Sequence, residues 1–483
     1  MQSFLEEVVG NLAKESHSLE NTVFVLPSKR AGNFLINALA NKSKKTFFSP
    51  EVYSIEGFVE KISGISYASN TQQLFELYNV YQKTTKGDVD NFFTFSKWGQ
   101  TLLQDINEID RYLIDANALF SNLSAIQEID HWSVEASKTK MIQDYLDFWK
   151  GLEQLYTNFN AELLKKGLGH QGLVYREACK QLNIYIEANT HKKHVFVGFN
   201  ALNTAESQLI QNILEKTNAD VYWDIDANFL NDSIHDAGLF IRAHQKSWPY
   251  FQNHSLKGIS TYYASKKSIQ IIGVPKNISQ AKYVGKLLKG IHQEDFEALK
   301  TTAVVLADES LLNPILNSIP EEIDAVNITM GYPLNKTPFA DLFTQFIALY
   351  INREEQGWFY RKILELLSHP YIKVLLTTED IDYATIISNE IKDKNWTYVT
   401  PEKLMGQANN CEQLSLLFSA NTPSSENLIK RCIDVIWHLK SKFKTADDTL
   451  AVEYLYRFFT LFNQLLALVQ ENNFINDLKS LDS

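Results

Sequence analysis

Hydrolysis of a nucleotide needs a glycine-rich turn whose backbone amides cradle phosphates, then a Lys and a Ser or Thr that holds Mg²⁺, spaced G-x-x-x-x-G-K-[ST]. The chain has one Gly-Lys pair, Gly285-Lys286, which is followed by Leu287 and sits in a helical pattern. Its first apolar run, Thr22-Val-Phe-Val-Leu26, leads into Pro27-Ser-Lys-Arg30 with no glycine before Gly32. That leaves at most a degenerate loop in place of a working phosphate cradle. An acid that holds Mg²⁺ belongs at the carboxyl end of a buried strand. After Val195-Phe-Val-Gly-Phe199 the nearest acid is Glu206, while Asp224 and Asp226 belong to the next strand and read as ordinary acids of a strand end. His191-Lys-Lys-His194 could be a metal pair, but with no carboxylate or Cys close in sequence it reads as a basic surface turn. No H-E-x-x-H, G-x-S-x-G or zinc-spaced Cys/His cluster is present. The acids at 105–110 read as the wet face of a helix, and the aromatic stripe at 141–159 reads as core.

These residues need elements to hold them. Residues 4–12 form an amphipathic pattern, Thr22–Leu26 a buried strand, and Phe34, Leu35, Ala38 and Leu39 recur at helical spacing. That is a strand–loop–helix unit, the building block of a parallel sheet. From about 70 to 186 the pattern is helical throughout: Leu74 to Tyr81, Trp98 to Ile109, and Met141 to Phe159. Strands return at Val195–Phe199 and Val221–Ile225. A second α/β stretch then offers strand-like runs at Ile269–Val274, Ala303–Ala307 and Ala325–Met330, with helical runs through Ala281–Ile291 and Phe339–Leu349. Thr337 and Pro338 make a helix start, and Gly331 suits an unusual turn. Leu/Ile/Phe periodicity at 359–376 and 427–470 makes the remainder helical.

A length of 483 residues implies two to four domains. With 45% hydrophobic and 21% charged residues the composition is that of a globular protein. No apolar run approaches the roughly 20 residues of a membrane span. Cys179, Cys411 and Cys432 are odd in number and far apart, which fits a reducing cytoplasm. The net charge of −11 argues against general coating of nucleic acid, so any DNA contact must gather its positive charge locally.

Three strings occur in a fixed order: Val23-Phe-Val-Leu-Pro-Ser-Lys-Arg-Ala31, Val195-Phe-Val-Gly-Phe-Asn-Ala-Leu202 with Glu206, and Ile328-Thr-Met-Gly-Tyr-Pro-Leu334 with Thr337-Pro338. Between the first two lies a helical stretch with Phe95-Ser-Lys-Trp98, Leu102-Leu103 and Asp105-Ile-Asn-Glu-Ile-Asp110. Together they resemble the AddB-type subunit of bacterial helicase–nucleases, in the branch whose N-terminal helicase domain is inactivated. The resemblance covers roughly residues 1–376. It implies an α/β fold of two RecA-like, P-loop NTPase-like parallel-sheet domains with helical insertions. Residues 1–65 with 187–260 would form the first, without a Walker A motif, and 66–186 its helical insertion. Residues 265–376 would open the second, with 377–483 a helical insertion cut short.

The resemblance also implies a function. Pro27–Ala31 falls where UvrD-like helicases touch single-stranded DNA, so Ser28, Lys29 and Arg30 become candidate DNA phosphate contacts; a solvated basic loop without a ligand is the competing reading. The family's nuclease, of PD-(D/E)xK type, needs an acid and an acid-x-Lys on a strand to hold Mg²⁺. Asp380 or Asp382 followed by Glu390-Ile-Lys392 fits loosely, but this string reads as helix and is rejected. Mg²⁺ and a 4Fe-4S cluster are therefore implied only for a C-terminal nuclease that this chain lacks, which makes it a truncated product or a fragment, with no cofactor of its own. The partners implied are DNA ends or single-stranded DNA and an AddA-like helicase–nuclease subunit, in a bacterial cytoplasm, in double-strand-break repair. Two rivals remain: an ATPase with degenerate motifs, and a Rossmann-like interaction protein that does not bind DNA.

Overall fold

Thr22–Leu26 (β1) is buried along its whole length, as an unbroken β-branched and aromatic run requires of a strand with sheet on both sides. A computed structural model of the protein describes residues 3–14, 19–42, 48–85, 88–130, 140–378, 381–406, 412–418, 422–443, 449–472, 474–475 and 478–482. The chain divides into two compact units, residues 1–264 with 337–483, and residues 265–336. In the first, β1 pairs in parallel with Glu51–Ser54 (β2) on one side and Lys193–Phe199 on the other. Two short strands, Ser66–Tyr67 (β3) and Leu168–Gly169 (β4), pair with each other away from this sheet. Lys193–Phe199 is thus β5, and it is followed by Ala219–Asp226 (β6) and Lys257–Ser260 (β7), giving an all-parallel sheet in the order β2-β1-β5-β6-β7. The fold is α/β.

Alternate residues of each strand feed opposite cores, as the pleat demands. Phe24, Leu26, Val195, Val197 and Tyr222 pack under helices Phe4–Lys14 (α1) and Lys29–Lys42 (α2). Val23, Val25, Phe196, Val221 and Trp223 face helices Ile55–Ser63 (α3), Gln171–Ala188 and Thr204–Lys216. At β7 the chain must come unusually close: a Cβ on Gly258, whose φ is +81°, would stand 2.3 Å from the Trp223 carbonyl oxygen. Only glycine fits there.

The expected helical stretch is present. Asn70–Thr84 (α4), Phe92–Arg111 (α5), Ala116–Asp130 (α6) and Lys140–Lys165 (α7) lead back to the sheet through Gln171–Ala188 (α8) and Thr204–Lys216 (α9). Leu152, Tyr156 and Phe159 of α7 are core as expected; the side chains of Met141 and Tyr145 lie outside the described residues. The acids at 105–110 need correction. Asp105 and Glu108 are exposed, but Asp110 is 0% exposed. Its carboxylate accepts from Asn160 Nδ2 at 2.9 Å and from the Tyr156 hydroxyl, and it pairs with Arg176 Nε at 2.6 Å and His170 Nε2 at 3.2 Å. Leu173 N–H donates to His170 Nδ1 at 3.2 Å, and His170 Nε2 lies 3.0 Å from Asn160 Oδ1, beside Asp110. Burial raises the Asp110 pKa, and the His170, Tyr156 and Arg176 interactions outweigh it, so the net shift is downward. The spacing of α5 alone could not show this, because the partners arrive from α7 and α8.

The region after residue 355 is helical as the periodicity requires, with Tyr360–Ser368, Pro370–Leu375, Tyr383–Asp393, Ser425–Lys442 and Thr449–Glu471. Thr337 caps helix Pro338–Ile351 through Ala340 N–H. Gly331 lies outside the left-handed region, so its turn does not need a glycine. In unit 265–336, helix Asn277–Glu294 holds Gly285, where a Cβ would meet the Ser318 carbonyl oxygen at 2.0 Å. The Gly-Lys pair therefore serves helix packing. The runs 269–274, 303–307 and 325–330 form no strands here. No ladder partner meets them among the described residues, and Ile271 and Val305 are 96% and 88% exposed. β-propensity describes fit to a pleated surface, and it makes no strand without a neighbour. Among the described residues no helix is long and apolar enough to cross a membrane.

Removing one member of a buried ion pair leaves the others uncompensated. Asp110→Ala is expected to cost about 3–5 kcal/mol, read as a lower urea midpoint at unchanged slope. A loss below about 1 kcal/mol would show that the network contributes no more than a surface pair.

Candidate nucleic-acid interface

Five parallel strands place all their carboxyl ends on one edge of the sheet. The connection after β1 (α2) covers one face and the connection after β5 (α9) covers the other, so a crevice opens between the ends of β1 and β5, where doubly wound sheets hold ligands. On one side of it lies Pro27-Ser28-Lys29-Arg30. The turn between β1 and α2 is two residues long, since α2 begins at Lys29. Ser28 Oγ accepts from Ala31 N–H at 3.2 Å and its carbonyl from Gly32 N–H at 3.3 Å. Ser28 thus caps α2, and the amides left at the helix start are those of Lys29 and Arg30. So short a turn has no room for a glycine-rich phosphate cradle.

Ser28 and Lys29 are exposed and Arg30 is half-buried, its guanidinium 5.9 Å from the centre of the exposed Phe34 ring. The first turn of α2 holds no acid. Among the described residues neither Lys29 nor Arg30 has an ion-pair partner. Two cations therefore add to the positive end of a 14-residue helix, an arrangement that attracts phosphate or carboxylate oxygens. Across the crevice Asn200 is exposed, and its carbonyl accepts from His244 Nε2 at 3.2 Å. Asn203 and Glu206 close a capping box at the start of α9, and Glu206 also accepts from the Tyr175 hydroxyl at 3.1 Å.

Of the other candidate acids, Asp226 and Asp382 are occupied. Asp226 accepts from Asn228 N–H at 2.9 Å, Tyr263 N–H at 2.8 Å and the Ser260 hydroxyl at 3.1 Å. The two backbone N–H groups hold its pKa down at about 2. Burial pushes the Asp224 carboxyl up. Asp382 caps helix Tyr383–Asp393 through Thr385, and Glu390 and Lys392 sit inside that helix; Asp380 and Cys411 lie outside the described residues. Burial pushes the Cys179 thiol up to about 11 and raises that of Cys432. Among the described residues no group of three His, Cys, Asp or Glu could hold a metal. A cavity of about 480 Å³ lies elsewhere, among α4, α5 and the C-terminal helices; Asn70, Gln73, Gln100, Gln104 and Gln171 line it, and among the described residues no charged side chain does.

The basic turn at 191–194 needs the second correction. Only His191 is exposed. Lys193 is buried against Asp220 at 2.9 Å, and His194 is buried with Nε2 2.9 Å from the Tyr185 hydroxyl. The strand begins at Lys193, two residues before the apolar run, because Asp220 on β6 neutralises the lysine. What sequence reasoning missed is Tyr262-Tyr263, which follows β7 after Thr261 on the same edge as Ser28–Arg30. Lys257-Gly-Ile-Ser260 has no apolar run to mark it as a strand, so the pair's place was hidden.

No protein-family model matches the chain, and no curated protein matches it.

Burial pushes the His194 pKa from 6.5 to about 4, so the folded protein holds this ring neutral while the unfolded chain protonates it below 6.5. The unfolded state binds the extra proton, so stability falls as pH drops from 6.5 towards 4 and levels off below that. The loss assigned to His194 is on the order of 3 kcal/mol. Melting temperatures of wild type and His194→Leu across this window test it: the variant's profile should be flatter, and parallel profiles would refute the assignment.

Proposed function

We propose that this chain is a non-catalytic, helicase-shaped scaffold that holds DNA ends or single-stranded DNA for a helicase–nuclease partner subunit of AddA type during double-strand-break repair. The observation that carries the proposal is the Ser28-Lys29-Arg30 turn, which places two cations without an ion-pair partner among the described residues at the N-terminus of α2 beside the crevice of a parallel sheet. The sheet of residues 22–260 stands as the first RecA-like domain. By sequence pattern residues 265–376 open the second: the β-prone runs 269–274, 303–307 and 325–330, which form no strands in the structure, alternate in the sequence with helices Asn277–Glu294 and Leu312–Leu316, in the order of a parallel α/β unit. On this proposal Mg²⁺, an iron–sulfur cluster and strand cleavage belong to a nuclease outside residues 1–483. The two-residue turn after β1 weighs against the rival of an ATPase. The rival of a DNA-independent interaction protein draws on the net charge of −11 and on the exposed apolar runs of 265–336.

Salt dependence separates these proposals. Each single-strand phosphate contact contributes about 0.7 to the slope of log K against log salt. Replacing Lys29 and Arg30 with Ala should therefore flatten the slope for single-stranded DNA by about 0.7 per lost contact. An unchanged slope removes these residues from the interface. Absence of binding to any DNA end or strand at low salt favours the interaction protein.

A further inference from the structure

The carboxyl edge of the sheet also carries two tyrosines held out toward solvent. Tyr262 and Tyr263 follow β7 after Thr261 and are 47% and 55% exposed. The backbone of Tyr263 is pinned: its N–H donates to Asp226, the carboxylate that also takes the Ser260 hydroxyl and Asn228 N–H, so the end of β7 is tied to the end of β6. The Tyr263 ring centre lies 4.4 Å from that of Phe229, and the Phe229 centre 4.5 Å from that of His235. Arg242 fixes this loop from behind, donating to the carbonyls of Phe229 and His235 at 2.8 Å each. Asp232, in the same loop, spends its carboxylate on Ile234 N–H at 2.9 Å. An exposed aromatic ring whose backbone and neighbouring loop are fastened, as those of Tyr263 are, loses little freedom when a flat partner arrives, which is what a recognition surface requires.

The strand register sets its distance from the basic turn. β1 and β7 are three strand spacings apart, about 14 Å, and the paired ends of β6 and β7 lie four residues beyond the level of Leu26, about 13 Å. The diagonal is roughly 20 Å. A single strand crosses such a gap with its backbone at one end and its bases free at the other. A duplex keeps its bases paired and stacked inside, out of reach of the ledge.

We infer that Tyr262 and Tyr263 form a stacking ledge for the unpaired bases of a single strand whose phosphates lie at Lys29 and Arg30. The inference rests on the proposed phosphate site and adds what that site leaves open, namely selection of single strands over duplex through base faces. Stacking on aromatic side chains accepts any base, so no sequence preference is expected.

The test is equilibrium binding of the full chain to three probes: an oligothymidine about 16 nucleotides long, an abasic backbone of the same length, and the matching duplex. Wild type should bind oligothymidine at least about 10-fold more tightly than the abasic strand. Tyr262→Ala and Tyr263→Ala should each weaken oligothymidine binding by about 5- to 100-fold, leaving the abasic affinity and the salt slope unchanged. Tyr→Phe at either position should restore binding. If Tyr263→Ala unsettles the turn at Asp226, the wild-type comparison of the two strands decides alone. Equal wild-type affinities, with a slope that still responds to Lys29 and Arg30, overturn the ledge and leave the phosphate site standing. Absence of binding to all three probes at low salt overturns both.

Discussion

The parallel pairing of β1 on both sides is the constraint from which the rest of this structure follows. A strand with neighbours left and right satisfies its own backbone groups, and helices above and below close both its faces to water, so Val23–Leu26 must be apolar. The covers are supplied by connections that leave β1 and β5 in opposite directions. That choice opens the crevice, and it puts the start of α2 at its rim. The basic turn is where it is because a buried strand has to end somewhere, and its helix begins two residues later.

The two edges of the sheet treat charge differently. At the amino edge Glu51 takes Lys192 at 2.5 Å and Lys61 at 2.6 Å, while Asp220 takes Lys193 and Lys257. Burial raises the Glu51 pKa, but bonds from Lys192, Lys61 and Tyr53 overcome it and bring it to about 2. Each of these four lysines has an acid. At the carboxyl edge Asp226 and Glu206 are spent on backbone and hydroxyl donors, and Lys29 and Arg30 have no acid among the described residues. An acidic protein thus shows an uncompensated positive spot where a doubly wound sheet exposes its ligand site. Net charge describes the whole surface and says little about one edge.

How much of this was legible depends on whether burial is set locally. Thr22–Leu26 and Val195–Phe199 are read at once because their composition admits few alternatives. α2 is read from Leu35, Ala38 and Leu39, which recur on one face. Asp110 is not legible: in α5 it continues an acidic string, and its burial is decided by Tyr156, His170 and Arg176, which arrive from other helices. Lys193 and His194 fail for the same reason, since Asp220 and Tyr185 make their burial tolerable. β7 fails from the other side, because Lys257-Gly-Ile-Ser260 is a strand only by virtue of β6 beside it and of the close approach that Gly258 permits. The runs at 269–274, 303–307 and 325–330 have the composition of strands without the neighbours, and composition alone does not pair them.

The helical insertion shows how distant contacts also fix the sheet. Between β2 and β5 the chain leaves for more than a hundred residues, yet β3 and β4 pair at the exit and the return, so the insertion is closed at its neck. α8 then does two things at once. Val174, Tyr175 and Ala178 pack into the sheet core, while Arg176 pairs with Asp110 and donates to the carbonyls of Ile109 and Ile114 at 3.0 and 2.8 Å. Gly172 lets α8 lie against α5, where any Cβ would meet the Asn107 carbonyl oxygen at 2.2 Å. Swinging the insertion away from the sheet would therefore break a buried ion pair and open a backbone-to-backbone contact together, costs that loop flexibility cannot offset. The insertion and the sheet belong to one compact unit, and the buried carboxylate of Asp110 helps to join them.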